Sequence, residues 1–259
     1  NTLDISGNFT VEAWIYPTNL GGNQVIISKR SDSGTEPNFS MRLNGSNGKE
    51  IDLFFRYGID NLAITTSSAS VTENEWQHIA GTYDGTYLRV FRNGAKIAES
   101  DVGSHTPAVN DKEIYIGRRD YYSPGAYFQG SMDEVRISDV ARYTADFDRP
   151  TIPFAPDANT LALYHFDEIG GTAVDDASSN GNNGNTYNGP AFSANEAFSV
   201  KANFSGLSES IAAGEQQNYI LVYDFNGSGS SGDTYKTRIN ANSDITAEGE
   251  NTGLPVNVI

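Results

Sequence analysis

The stretch Glu75–Ile97 reads EWQHIAGTYDGTYLRVFRNGAKI, three apolar runs separated by Asp84-Gly85 and Asn93-Gly94. Asp-Gly and Asn-Gly supply the positive φ angles that tight hairpin turns require, so each marks a chain reversal. Between the turns Tyr87, Arg89 and Phe91 alternate with Leu88, Val90 and Arg92. In the run before them Trp76, His78 and Ala80 alternate with Gln77 and Ile79. A period of two is the signature of a strand, so the stretch predicts a half-buried antiparallel meander.

Working outward, residues 9–16 set Val11, Ala13 and Ile15 against Glu12, Trp14 and Tyr16; bulk on both faces predicts a strand covered on both sides. Further strands are expected over residues 25–29, 39–43, 51–57, 62–66 and 160–166, with a short helix over 139–147 as the one helical segment. Strands at regular spacing with Gly/Asn turns make an all-β sandwich. Trp14, Trp76, Val90, Val135 and Ile137 are the expected core.

Four stretches in order, WQHIAGTYDGTYLRVFRNG from Trp76, NFTVEAWIYP from Asn8, IYIG from Ile114 and FQGSMDEVRI from Phe128, resemble the laminin-G-like jelly rolls related to concanavalin A. The resemblance runs from Asn1 to Glu168 and implies a jelly-roll sandwich. It leaves function open, because this fold serves lectins, glycosidases, adhesins and spacers alike.

After residue 168 the composition changes. Residues 169–193 are dense in Gly and Asn and read either as a linker or as a loop docked on the preceding strand. Residues 194–259 read as a second, smaller β domain, with strands over 198–204, 218–225 and 234–241. IAAGE from Ile211, YILVY from Tyr219 and GDTYK from Gly232 resemble immunoglobulin-like modules of prokaryotic surface proteins. The span is short for such a sandwich, which needs about 100 residues.

Lys+Arg 17 against Asp+Glu 33 gives a net charge of −16, which argues against nucleic acid or anionic membrane as a partner. With no cysteine, neither a disulfide framework nor a thiol nucleophile is available. No apolar run approaches the ~18 residues that suggest a membrane span. Abundant Gly, Asn, Ser, Thr and Tyr, and sequons at Asn8, Asn38, Asn44, Asn203 and Asn226, fit a secreted or surface-anchored prokaryotic protein. The abrupt start at Asn1 reads as a piece of something longer.

The resemblance includes glycosidases, whose clustered acids follow E-x-D-x-x-E or E-x-D-x-E. Glu50 and Asp52 match two positions, but Phe54 or Phe55 stands at the third. A retaining mechanism needs two carboxyls about 5–5.5 Å apart, so catalysis is not expected. Asp133 and Glu134, adjacent in a strand, are expected on opposite faces, with Asp133 on the face of Val135 and Ile137. His78, His105 and His165 follow no metal-binding spacing.

Calcium takes six to eight oxygens, commonly from loops. Asp175, Asp176 and Asn180 supply such oxygens in one segment, with Asp133 as a more distant ligand, and the resemblance supports one structural calcium. Arg118, Arg119, Asp120, Tyr121, Tyr122 and Tyr127 form an aromatic, charged loop whose rings and polar ends suit a glycan edge; the alternative, and the commoner case, is a loop packed over the sheet by its tyrosines.

The sequence thus predicts a non-catalytic binding or adhesive module for glycan or protein. Its alternative is a subunit of an extracellular filament or surface layer joined by strand sharing, with a glycoside hydrolase a distant third. In the resembled family the jelly roll opens with a further strand before the LDISGNFT run, which is missing here. An incomplete sandwich is a template for strand addition, and the closing apolar run Leu254–Ile259 is a candidate donor.

Overall fold

The structure, a computed structural model, describes residues 3–30, 37–44, 49–67, 69–118, 126–168, 170–193 and 197–198. The chain divides into two compact units, Asn1–Ser199 and Val200–Ile259. The second lies outside the described residues, as do the strands expected for an immunoglobulin-like domain and the segment Leu254–Ile259.

The strands are β1 (Phe9–Pro17), β2 (Gln24–Lys29), β3 (Phe39–Asn44), β4 (Glu50–Tyr57), β5 (Asp60–Thr65), β6 (Gln77–Tyr83), β7 (Tyr87–Arg92), β8 (Ala95–Asp101), β9 (Ile114–Ile116), β10 (Gly130–Ser138), β11 (Thr160–Tyr164), β12 (Ala173–Val174) and β13 (Gly184–Asn185). They form a six-stranded sheet, β11-β10-β1-β6-β7-β8, facing a five-stranded sheet, β5-β4-β3-β2-β9, with β12-β13 a separate hairpin. Paired strands run antiparallel, as a jelly-roll sandwich requires.

Both predicted turns form. Asn93 and Gly94 take φ of 50° and 84°, and a Cβ on Gly94 would fall 1.9 Å from the Phe147 carbonyl oxygen. At the other turn the Asp84 carboxylate accepts the Thr86 and Tyr87 N–H groups at 3.0 and 2.8 Å. Between the sheets lie Phe9, Val11, Ile15, Phe39, Met41, Leu53, Phe55, Leu88, Val90, Val135 and Ile137, all buried. Phe55 meets Phe9 edge-on at 6.0 Å and Tyr83 at 4.6 Å.

β1 is covered on both faces, as its alternation predicts, and this corrects the expectation of one core. Trp14 belongs to a second cluster with Phe154 and Leu163, against which the half-buried Trp76 packs, on the outer face of the six-stranded sheet. That face is covered by residues 139–154, which form no helix. Their backbone is used across the sheet instead: Phe147 N–H donates to the Gly94 carbonyl at 2.9 Å and Asp139 N–H to that of Asn159 at 3.1 Å. Thr10 and Thr82 hydroxyls donate to the carbonyls of Val140 and Tyr143, and Tyr143 stacks on Phe147 at 3.6 Å.

Candidate functional site

The sandwich closes on one side, where β5 packs against β7 and β8. On the other side a crevice of about 990 Å³ opens between β9 and the end of β11. Ile114, Tyr115 and Ile116 form one wall, Met132, Tyr164 and Phe166 another, and residues 182–193 run across it. This volume is in the range of small-ligand sites. Lys29, fully buried at one end, is paired with Asp4 at 3.1 Å and donates to the Lys112 carbonyl.

Residues 170–193 are docked. Asp176 Oδ1 accepts the Leu163 and Ser178 N–H groups, both at 2.9 Å, and its Oδ2 accepts the Ser178 hydroxyl at 2.7 Å and the Asn182 N–H at 2.8 Å. Asn180 Nδ2 donates to the Thr160 and Leu161 carbonyls, and Asn182 Nδ2 to that of Leu161. The loop therefore caps the free edge of β11, satisfying backbone groups that a further strand would otherwise take. Four donors fill the acceptor sites of a carboxylate. Asp175 is exposed and gives its N–H to Glu168, and both Asp133 oxygens also accept N–H groups. No cluster of three acidic or histidine side chains disposed to hold a metal occurs among the described residues.

At the crevice mouth the Arg118 guanidinium lies 4.8 Å from the Tyr115 ring centroid and 4.3 Å from that of Tyr187. Tyr187 and Tyr127 are exposed, 51% and 42%, and Asn188 Nδ2 donates to the Tyr127 hydroxyl at 3.2 Å. Of the expected ligand residues, Arg118 and Tyr127 are thus brought together here; Arg119, Asp120, Tyr121 and Tyr122 lie outside the described residues. Tyr115, Tyr187 and Asn188 went unrecognised in the sequence. Tyr115 was legible, since alternation with Ile114 and Ile116 turns it outward; Tyr187, inside a Gly/Asn run, carried no period.

At the crevice's far end a β-bulge overturns the expected placement of Asp133 and Glu134. Asp133 pairs with Trp14 and Arg136 with Glu12, so two residues of β10, Glu134 and Val135, oppose Ala13 alone. Glu134 takes φ of 51°. The extra residue shifts the alternation, as bulges do. Asp133 shares the outer face of Trp14, not that of Val135 and Ile137, and Glu134 points the same way. Glu134 accepts the Phe154 N–H at 2.7 Å and pairs with His165 Nδ1 at 2.6 Å. Burial depresses the His165 pKa, but the Glu134 bond and charge outweigh it and the value is raised.

Asp52, His78 and His105 are engaged within the fold. Asp52 is held by Arg42 at 2.8 Å and by the Thr65 hydroxyl at 2.7 Å. His78 meets buried Glu12 at 2.9 Å, and Glu12 also accepts from Arg136 and Tyr143. His105 gives its backbone N–H to the Tyr83 hydroxyl.

A family profile described as the concanavalin A-like lectin/glucanases superfamily matches residues 1–146. The chain belongs to this superfamily. No curated protein matches its sequence. Among solved structures, a candidate carbohydrate-binding protein of Bacteroides ovatus superposes with a TM-score of 0.56 at 24% identity, covering 71% of this chain and 52% of its own. The chain thus spans about half the length of that protein, and the likeness is one of fold. Weaker likenesses join the superfamily member to the sialidase carbohydrate-binding module of Ruminococcus gnavus, bound to sialyllactose (TM-score 0.47, 15% identity, 55% of this chain and 81% of that one). Mouse laminin α1 domains LG4-5 give 0.42 at 15% identity, covering 60% and 42%. Among the described residues no helix is long and apolar enough to cross a membrane.

Proposed function

We propose that this jelly roll is a non-catalytic, extracellular glycan-binding module whose contact surface is the mouth of the crevice. One observation carries the reading: two exposed tyrosines and the Asn188 amide frame the opening, with Arg118 held between Tyr115 and Tyr187. Ring faces stack on the C–H faces of sugars, and amide and phenol groups bond hydroxyls, so an aromatic rim with a few fixed polar groups suits a saccharide. The Glu50/Asp52 pair lacks its third acid and Asp52 is locked by Arg42, which supports binding without hydrolysis. The carbohydrate-binding descriptions of similar structures agree with this reading.

The test is a glycan array followed by calorimetry on the best ligand. Tyr187→Ala and Tyr127→Ala should each weaken binding about tenfold, equivalent to ~1.4 kcal/mol. Unchanged affinity in both variants would move the site elsewhere, and an empty array with capture of a protein ligand would replace glycan by protein.

Strand sharing within a filament or surface layer is supported by one feature: β9 lies at the end of its sheet. Electron microscopy of the native protein separates the readings, since a strand-sharing subunit is fibrous and a binding module is not.

A further inference from the structure

The wall of the crevice continues past its mouth along the edge of the five-stranded sheet. β9 pairs with β2 on one side, and the chain flanking it is tied down at both ends. Ala108 N–H donates to the Arg56 carbonyl at 2.7 Å and Gly117 N–H to that of Ile26 at 2.9 Å, while the Lys112 carbonyl accepts from buried Lys29. Residues 108–118 are therefore one fixed wall. Along it Val109, Asp111 and Glu113 are exposed, with half-buried Asn110 and Lys112 between them. The crevice takes in this wall from Asp111 to Arg118. A second hollow, of about 430 Å³, starts at the same Asp111 and is bounded by Val109, Ile59 and Arg56. Ile59 and Val109 are large apolar side chains left 86% and 55% exposed.

We propose that the saccharide site is an extended groove for a linear, neutral oligosaccharide, which lies along residues 109–118 from the tyrosine rim to the Ile59–Val109 hollow. This rests on the glycan reading of the crevice mouth and adds to it the length and the charge of the ligand. Two hollows that share Asp111 form a track and not separate pits. From Asp111 to Arg118 the wall covers roughly 20–25 Å at strand rise, more than a single sugar ring fills. Its ends are apolar: the Tyr115 and Tyr187 rings at one, Ile59 and Val109 at the other. Between them stand Asp111 and Glu113. A sugar chain presents C–H faces and hydroxyls in alternation, so apolar ends joined by hydrogen-bond acceptors match it over several rings. Because the wall is already fixed, little ordering cost falls on binding.

The charges on the wall set the class. The Asp111 side chain is 85% exposed, and Lys112 is drawn to it at 2.7 Å. Glu113 is exposed as well and accepts the Tyr115 hydroxyl at 3.2 Å. Arg56 Nε donates to the Gly58 carbonyl at 3.1 Å, and Arg118, 8% exposed, lies between two rings. The wall thus turns mainly carboxylate oxygen toward a ligand, on a chain of net charge −16. Carboxylates accept bonds from hydroxyls, whereas an acidic ligand is repelled by them and by the field of the whole chain. Sialylated, sulfated and uronic-acid glycans are therefore disfavoured.

The test is a length series on the full chain: laminari-, xylo-, manno- and galacto-oligosaccharides from disaccharide to octasaccharide, arrayed beside sialylated, sulfated and uronic-acid glycans. Affinity should rise with length in at least one neutral series. Ile59→Asp and Val109→Asp, both at exposed positions, should each weaken the octasaccharide about tenfold, the worth of one apolar side-chain contact, and leave the disaccharide unchanged. Tyr187→Ala should weaken both lengths. Equal affinity at every length, or an octasaccharide indifferent to Ile59→Asp and Val109→Asp, overturns the extended groove while the glycan reading of the rim stands. Binding confined to the acidic glycans overturns it too. A blank array removes the glycan reading and the groove together.

Discussion

Replacing Asp176 by alanine separates an edge cap from a cation site. The carboxylate serves four donors, but they are not equal. Ser178 and Asn182 are half-buried and can exchange the lost bonds for water. Leu163 is fully buried, and its N–H donates to Asp176 Oδ1 at 2.9 Å. Leaving one buried donor unsatisfied costs about 1–3 kcal/mol. In a unit of this size each kcal/mol moves the thermal midpoint by about 2–4 °C, so Asp176→Ala should melt roughly 2–12 °C lower. Circular dichroism melts with and without a strong chelator complete the experiment. An edge cap needs no ion, so the chelator should move neither protein. A bound cation stabilises the native state by mass action. If chelation lowered the wild-type midpoint about as far as the mutation does, and left Asp176→Ala unmoved, the carboxylate would hold a metal and the cap reading would fail.

Three further outcomes follow from the packing. Trp14→Ala should cost about 3–5 kcal/mol, the usual loss for a buried aromatic, measured by urea unfolding; a loss under 1 kcal/mol would mean the outer cluster is not a second core. Burial alone would raise the Glu12 pKa, yet the bonds and charges of His78 and Arg136 bring it below its ordinary 4.5. Its contribution is then complete above that value and lost as pH falls through the lower folded one, so Glu12→Gln should flatten the acid limb of the stability curve; an unaltered acid limb would contradict this. Finally, no reducing sugar should be released from laminarin, agar or xylan, and release abolished by Glu50→Gln would restore a hydrolase.

The fold was legible because its signals are local. Asn93-Gly94 specifies its own turn, and alternation along β1 sets Val11 and Ile15 on one face and Trp14 on the other without knowledge of any partner strand. What alternation cannot supply is the address of the outer face. Trp14 was assigned to the same core as Val90, although its covering residues, Phe154 and Phe198, come from segments with no strand period. Residues 139–147 were expected to be helical; Tyr143 and Phe147 in fact stack on a backbone whose hydrogen bonds go to Gly94 and neighbouring segments. Asp133 and Glu134 failed for another reason. Strict alternation assumes one residue opposite one, and the bulge opposite Ala13 is set by pairing across the sheet. Of the site, Arg118 and Tyr127 stood out by residue type, whereas Tyr187 and Asn188 reach the crevice only because Asp176, Asn180 and Asn182 pin the Gly/Asn run to β11.

That pinning also bears on how the two edges flanking the crevice are treated. An unpaired strand edge invites pairing with another chain unless it is blocked or kept short. β11 is blocked: Asn180 and Asn182 occupy the Thr160 and Leu161 carbonyls, and Asp176 and Ala177 occupy the N–H and carbonyl of Leu163. β9 is kept short, at three residues, and Arg118 follows it between two tyrosine rings. A donated strand could therefore gain few ladder bonds on either side without first displacing the loop or the stack. A saccharide asks for neither, since it needs ring faces and scattered polar groups and not a continuous row of backbone donors. The same residues that weaken the crevice as a strand acceptor are the ones that hold its rim in place.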